Sequence, residues 1–464
     1  MWLVPVLFGA EALVVGILLM AYRAEGKSDW TTFLASRPGL LCIAGVVVLL
    51  VAIAFVVHQC RVSQRNGSRQ WIFAIILNAA VVMGIVGVGE FALRLLAVSS
   101  NTEDRIAGRL LYPRQWDITA ANFRAILKRS EAQAPFWIYD SDLGWTIGPS
   151  RQDSSGLYRS SAEGLRSTTV GEVLEKESPG CRIAFVGDSF TFGEEVAAEN
   201  AWVHLLGQEL GPDCQVLNFA VGGYGVDQMY LRYLRDIRPW KPDLVVLAFV
   251  NHDVVRSLSI YSFLLFSGGE TPFAKPRFVV RGGRLEQLNT PLIGPQALFN
   301  APSIRTLPFI EYDGEYRDSE WGRADWKPFY SSYLFRLLLS LYPLHEPERP
   351  EISAQALREV NTELFRAFQK AVATTGANSL IVYLPSVDEV PERLPWVPIG
   401  QAILRDGNIP HVDLRDCMAD GYTPDMFMPV GHGQHYAPSG NRVVVECLRG
   451  SIQDSLKQRS SRQN

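Results

Sequence analysis

No run of basic residues occurs in this chain, and its formal net charge at pH 7 is only −4. Nucleic-acid binding needs clustered Lys and Arg to displace condensed counterions, so nucleic acid is not an expected partner. No glycine-rich stretch carries the Lys-Ser/Thr of a phosphate loop. "GGYG" at 222–225 and "RGGR" at 281–284 are single turns, and neither completes a dinucleotide fingerprint. Cysteine is scarce, six in 464 residues, and no Cys or carboxylate cluster accompanies the paired histidines of "HGQH" at 432–435. No metal or cofactor is therefore expected. Internal repeats and low-complexity runs are missing as well.

Charge is also nearly absent from three stretches near the amino terminus, residues 2–22, 40–57 and 71–89. Each is long enough to cross a bilayer core. Glu11 is the one acid inside the first, and Trp2, Tyr22 and Trp71 stand where interfacial aromatics belong. The first stretch lacks the basic leader of a cleaved signal peptide and two more follow it, so residues 1–98 read as a membrane anchor of three transmembrane helices. The two connecting links carry three basic residues each and do not fix the orientation.

Beyond residue 98 the composition becomes that of a soluble domain. Residues 99–180 form a lead-in with turns and aromatics, including "LGW" and "EGLRS", and no clear long helix. From 181 to 456 apolar strands alternate with helical patterns, as in a parallel sheet covered on both faces. Residues 254–350 interrupt that rhythm with a long insertion rich in Pro, Gly and aromatics. It is expected to cap the carboxyl edge of the sheet. Residues 457–464 read as a polar tail.

Four segments of this domain end at that edge. They place Ser189 after the first strand ("RIAFVGDS"), Gly223 after the second, Asn251 after the third and His435 before the last helix. Separately, each has a bland explanation: a serine or asparagine capping a turn, a glycine in a tight bend, a histidine at a helix start. Together they supply a nucleophile, a base and oxyanion donors, which is what acyl transfer requires. Glycine at 223 lets backbone approach a substrate without a side chain in the way.

The blocks "FVGDSFTFGEEV", "NFAVGGYGVDQ", "VVLAFVNHD" and "GQHYAPSGNRVVVECL" resemble those of the SGNH (GDSL-type) hydrolase superfamily, and "LGW" and "EGLRS" resemble stretches of its membrane-anchored bacterial members. The resemblance implies a flavodoxin-like three-layer α/β/α domain with a parallel sheet. It puts Ser189 as nucleophile, His435 as base, and Gly223 and Asn251 at the oxyanion. One departure stands out. The family commonly has an aspartate three residues before the histidine, and here that position is His432. A second imidazole cannot supply the anion that stabilises imidazolium. Asp425 or Asp413 reaches the ring instead, or a backbone carbonyl orients it, or the site binds without turnover.

Cys181 and Cys214 each stand just before one of two strands that neighbour one another in a flavodoxin-like order. A disulfide between them and a pair of buried thiols are both compatible with the sequence. The reading that joins these features is a membrane-anchored, extracytoplasmic esterase working through an acyl-serine on an O-acylated glycan or lipid of the cell envelope. An O-acyltransferase and a degenerate glycan-binding protein are the alternatives.

Overall fold

The computed structural model describes residue 61 and residues 70–131, 133–176, 180–266, 268–341, 354–390, 397–429 and 433–463. The predicted spans at 2–22 and 40–57 lie outside the described residues, as does His432. Two compact units are present. One comprises Ala120–Phe266, Glu270–Tyr316 and Arg349–Asn464, the other Met1–Thr119, Ser267–Gly269 and Arg317–Glu348.

The larger unit is built on five strands: β1 (Cys181–Gly187), β2 (Cys214–Asn218), β3 (Leu244–Phe249), β4 (Asn378–Tyr383) and β5 (Val412–Asp413). They lie in the order β5-β4-β3-β1-β2, every neighbouring pair parallel. This is the expected flavodoxin-like order, and its direction reverses between β1 and β3, where ligands of such sheets bind. The strands are apolar on both faces because both faces are covered. Ala184 and Val186 of β1 point into one core with Val226, Met229, Leu364 and Phe368. Ile183 and Phe185 point into the other with Trp202, Leu206, Val444 and Leu448. The covering helices are Val226–Arg232 and Ala354–Ala373 on the first face, and Trp202–Leu210 and Pro438–Gln463 on the second.

Three details differ from the sequence reading. The lead-in does contain a long helix, Trp116–Glu131. Ala120, Phe123 and Leu127 recur at three- and four-residue spacing and are buried, and Phe123 stacks on Phe299 at 4.6 Å. Asp117 in its first turn and Lys128 and Arg129 in its last complement the helix dipole. The final helix runs on to Gln463, through most of the expected tail. A second disulfide, Cys417–Cys447, accompanies the Cys181–Cys214 bridge.

In the smaller unit, helix Gln70–Leu96 runs directly into the first strand of a three-stranded antiparallel sheet, Ala97–Ser99, Asp104–Ile106 and Arg109–Leu110. The carboxylate of Glu90 accepts hydrogen bonds from the N–H groups of Tyr333 and Leu334 and from the Ser332 hydroxyl, each 2.9 Å, and so caps helix Tyr333–Leu341. The third predicted span falls within Gln70–Leu96, where Ala80 is the first residue whose side chain is described. Among the described residues no helix is long and apolar enough to cross a membrane.

Candidate active site

β1 ends at Gly187, where a side chain has no room. A Cβ there would lie 2.3 Å from Thr191 Oγ1 and 2.5 Å from the Ala248 carbonyl. Asp188 then caps the short helix Ser189–Phe192, its Oδ1 accepting the N–H of Phe190 at 3.0 Å. Asp188 is itself fully buried and is held by Arg256, whose Nη1 lies 3.4 Å from Asp188 and 2.6 Å from the equally buried Asp253. Burial, and after it the charge of Asp188, push the Asp253 carboxyl well above the usual range. The cap fixes Ser189 as the first helical residue, with its hydroxyl at the carboxyl edge of the sheet.

The Ser189 hydroxyl lies 2.8 Å from Nε2 of His435. The other ring nitrogen, Nδ1, lies 2.9 Å from the carboxylate of Glu195. An ionised carboxylate only accepts, so Nδ1 carries the proton and Nε2 is left to accept from serine. Glu195 also accepts the N–H groups of Gly433 at 2.7 Å and of His435 at 3.1 Å. Burial alone would raise its pKa. The hydrogen bonds from the His435 ring and from these two N–H groups outweigh that, and hold the carboxyl below its usual range.

Glu195 is thus the acid that the histidine segment lacks. Neither Asp425 nor Asp413 is bonded to the ring. Asp413 bonds Gln401 and Arg415, and Asp425 is exposed, with its carbonyl accepting the Ser439 hydroxyl. The sequence reading passed over Glu195 because its placement depends on an unusual backbone. Gly193 stops the helix at φ 80°, and Glu195 itself sits at φ 67°, a left-handed conformation that usually favours glycine. Gln434, beside His435, is left-handed as well at φ 57°. Strain of this kind persists only where the surroundings enforce it, and it gathers at functional sites. Here the Tyr158 hydroxyl accepts the Glu195 N–H at 3.0 Å, and Arg166 bonds the Val196 carbonyl at 2.9 Å while stacking over Tyr158 and Phe192. Burial raises the Tyr158 phenol to about 12, which keeps it neutral. The "EGLRS" stretch therefore serves the site by bracing this turn. A pair of glutamates directly after a helix-ending glycine, with no acid near the histidine, was the available signal.

Gly223 lies at φ 79°, and a Cβ on it would come within 2.9 Å of the Phe266 ring. The turn that carries it is fixed by Trp145 of "LGW", whose indole N–H donates to the Gly222 carbonyl at 3.0 Å. No hydrogen bond among the described residues takes the N–H of Ser189 or of Gly223. Ser189, Gly223 and His435 line one cavity of about 710 Å³. Asn251 is not among its lining residues. It begins the helix after β3, and its Oδ1 accepts the N–H of Gly400 at 2.9 Å. Phe266, Thr271, Pro272 and Phe273, all from the expected insertion, line the cavity too. No group of three or more potential metal ligands occurs among the described residues.

Residues 185–292 match the model of the GDSL-like Lipase/Acylhydrolase family. Ser189, Glu195, Gly223 and Asn251 fall inside that stretch and His435 outside it. No curated protein matches the chain. Among solved structures the chain is similar to TesA, at 13% identity and TM-score 0.31, over 59% of this chain and 99% of that one. It is similar to the acetyl xylan esterase AlAXEase, at 13% identity and TM-score 0.31, over 58% and 99%. It is also similar to LAE5, an alpha/beta hydrolase enzyme from the metagenome of Lake Arreo, at 13% identity and TM-score 0.31, over 61% and 97%. Similarity at this level says nothing of this chain's substrate.

Proposed function

We propose that this chain is a membrane-anchored serine esterase whose nucleophile is Ser189. The observation that carries the reading is the continuous relay from Glu195 through His435 to the Ser189 hydroxyl, at 2.9 and 2.8 Å. The hydroxyl attacks the acyl carbon as its proton passes to Nε2. Glu195 holds the ring in the competent tautomer and stabilises the imidazolium that forms. The N–H groups of Ser189 and Gly223 receive the negative charge on the carbonyl oxygen. Nε2–H then protonates the leaving alcohol, and a water activated by the same ring releases the acyl group from serine.

A complete relay favours turnover over a scaffold that only binds. The two disulfides support a place outside the cytosol, where such bonds persist. The apolar stretches within residues 1–98 would hold the domain at the membrane, within reach of O-acylated envelope glycans or lipids. A fluorophosphonate probe on the purified full chain tests the chemistry. Wild type is expected to label covalently, while Ser189→Ala does not, and His435→Ala is expected to lower ester turnover by at least about 10²-fold. A folded wild-type protein that resists the probe would sink the reading.

A further inference from the structure

Glu194, next to the orienting acid, has no part in the relay. Its backbone N–H bonds the Ser189 carbonyl at 3.0 Å, and its carboxyl lines the cavity beside Ser189, Gly222 and His435. Oε2 lies 2.9 Å from where a Cβ on Gly222 would stand, so a side chain at 222 would push the carboxylate aside from its place beside the Gly223 turn. No hydrogen bond or ion pair to a described residue engages this carboxyl. The carboxyl is partly open to the cavity, so a ligand seated there can supply the hydrogen-bond partner that the described residues do not. Burial pushes its pKa up, against the lowering charge of His435.

The rest of the cavity narrows the class of ligand. Its other carboxyls are Glu131 and Glu270, and among the described residues its one lining arginine or lysine, Arg256, is already engaged by Asp253 and Asp188. An anionic alcohol would find no free positive charge there. Trp137, Trp145 and Phe273 offer aromatic walls, whose negative π faces suit the C–H faces of a sugar ring. We infer that Glu194 is a specificity-determining residue, whose carboxyl hydrogen-bonds a free hydroxyl on the alcohol half of the ester and so selects uncharged, polyhydroxylated alcohols such as sugars. This assignment rests on the esterase reading.

The test is the ratio of kcat/KM on a mono-O-acetyl methyl xylopyranoside to kcat/KM on para-nitrophenyl acetate, whose leaving group bears no free hydroxyl. Glu194→Leu should lower that ratio by about 10- to 100-fold, chiefly through KM on the sugar ester, as loss of a hydrogen bond to a charged or polar partner does. Glu194→Gln, which still bonds a hydroxyl, should recover much of it. A ratio unchanged within about twofold in Glu194→Leu would overturn the assignment. Should that variant fail to fold, wild type alone decides by its preference for the sugar ester over cyclohexyl acetate. At least about tenfold is expected, and no preference would overturn the assignment. A wild type that turns over none of these esters and resists the fluorophosphonate removes the esterase reading itself, whereas turnover without discrimination removes only Glu194.

Discussion

The loop after β1 and the loop before the last helix meet at Ser189, but they bring unequal shares of chemistry. Residues 187–196 supply the nucleophile, its N–H, the orienting acid Glu195 and the unpartnered Glu194. Residues 424–437 supply the imidazole and the N–H groups of Gly433 and His435 that hold Glu195. Each loop lies inside its own disulfide-closed ring, Cys181–Cys214 with a separation of 33 residues and Cys417–Cys447 with 30. The difference teaches that a catalytic relay need not draw its acid and its base from one segment. When position 432 is histidine, a carboxylate 240 residues away can serve the ring, provided a left-handed turn aims it.

The two rings are of similar size, so opening either one should cost similar stability. The pairs Cys181→Ala/Cys214→Ala and Cys417→Ala/Cys447→Ala are each expected to lose about 3–4 kcal/mol in denaturant unfolding, on the chain-entropy account. Activity should separate them. Cys181 and Cys214 begin β1 and β2, at the strand ends away from Ser189, whereas Cys417 and Cys447 lie in the two helices that flank the histidine loop, Arg415–Asp420 and Pro438–Gln463. Only the second pair should lower kcat, by several-fold, in folded protein. Equal losses of kcat would erase the proposed contrast.

A smaller effect is expected from glycines that crowd each loop. An alanine Cβ at 433 would lie 2.6 Å from Cε1 and Nδ1 of His435, so Gly433→Ala must displace the ring. Displacement of a base by about 1 Å costs on the order of 10²-fold in rate. Gly187→Ala instead meets the Ala248 carbonyl at 2.5 Å, inside the sheet, and should lower stability more than it alters the chemistry of protein that folds. Unfolding curves and kcat measured on both variants check the pairing.

The smallest effect lies in pH dependence, where the adjacent glutamates should behave oppositely. The Glu195 pKa is lowered on folding, so its contribution is fully present above the ordinary glutamate value and is lost as pH falls through the folded one. The Glu194 pKa is raised, so its penalty is absent below the ordinary value and grows until pH passes the folded one. Between about pH 3 and pH 7 wild type should therefore gain stability relative to Glu195→Gln as pH rises, and lose it relative to Glu194→Gln. Slopes of the same sign would contradict the two environments.

Much of the fold was legible because its determinants are local. Apolar runs such as "RIAFV" and "DLVVLAF" specify buried parallel strands, and both occur where expected. Ser189, Gly223 and His435 followed from turn residues at the ends of those elements. The helix Trp116–Glu131 was hidden by its polar face and its proximity to turn-rich sequence. The Cys417–Cys447 bridge joins two helices whose packing no spacing reveals. Glu195 was missed because "GEEV" reads as ordinary surface charge. Its role comes from φ 67° and from a contact with the opposite end of the domain, neither of which is a property of the local sequence. Asn251 stands at the strand end where it was expected, and its Oδ1 accepts the N–H of Gly400.

The central claim is that Glu195, and not an acid of the histidine segment or its neighbourhood, serves His435. Steady-state turnover of para-nitrophenyl acetate by Glu195→Ala, Asp413→Ala and Asp425→Ala tests it directly. Glu195→Ala should lose about 10²- to 10⁴-fold in kcat, as triads do without their acid, while the two aspartate variants stay within about threefold of wild type. Near-normal turnover by Glu195→Ala, with a collapse in either aspartate variant, would contradict the account.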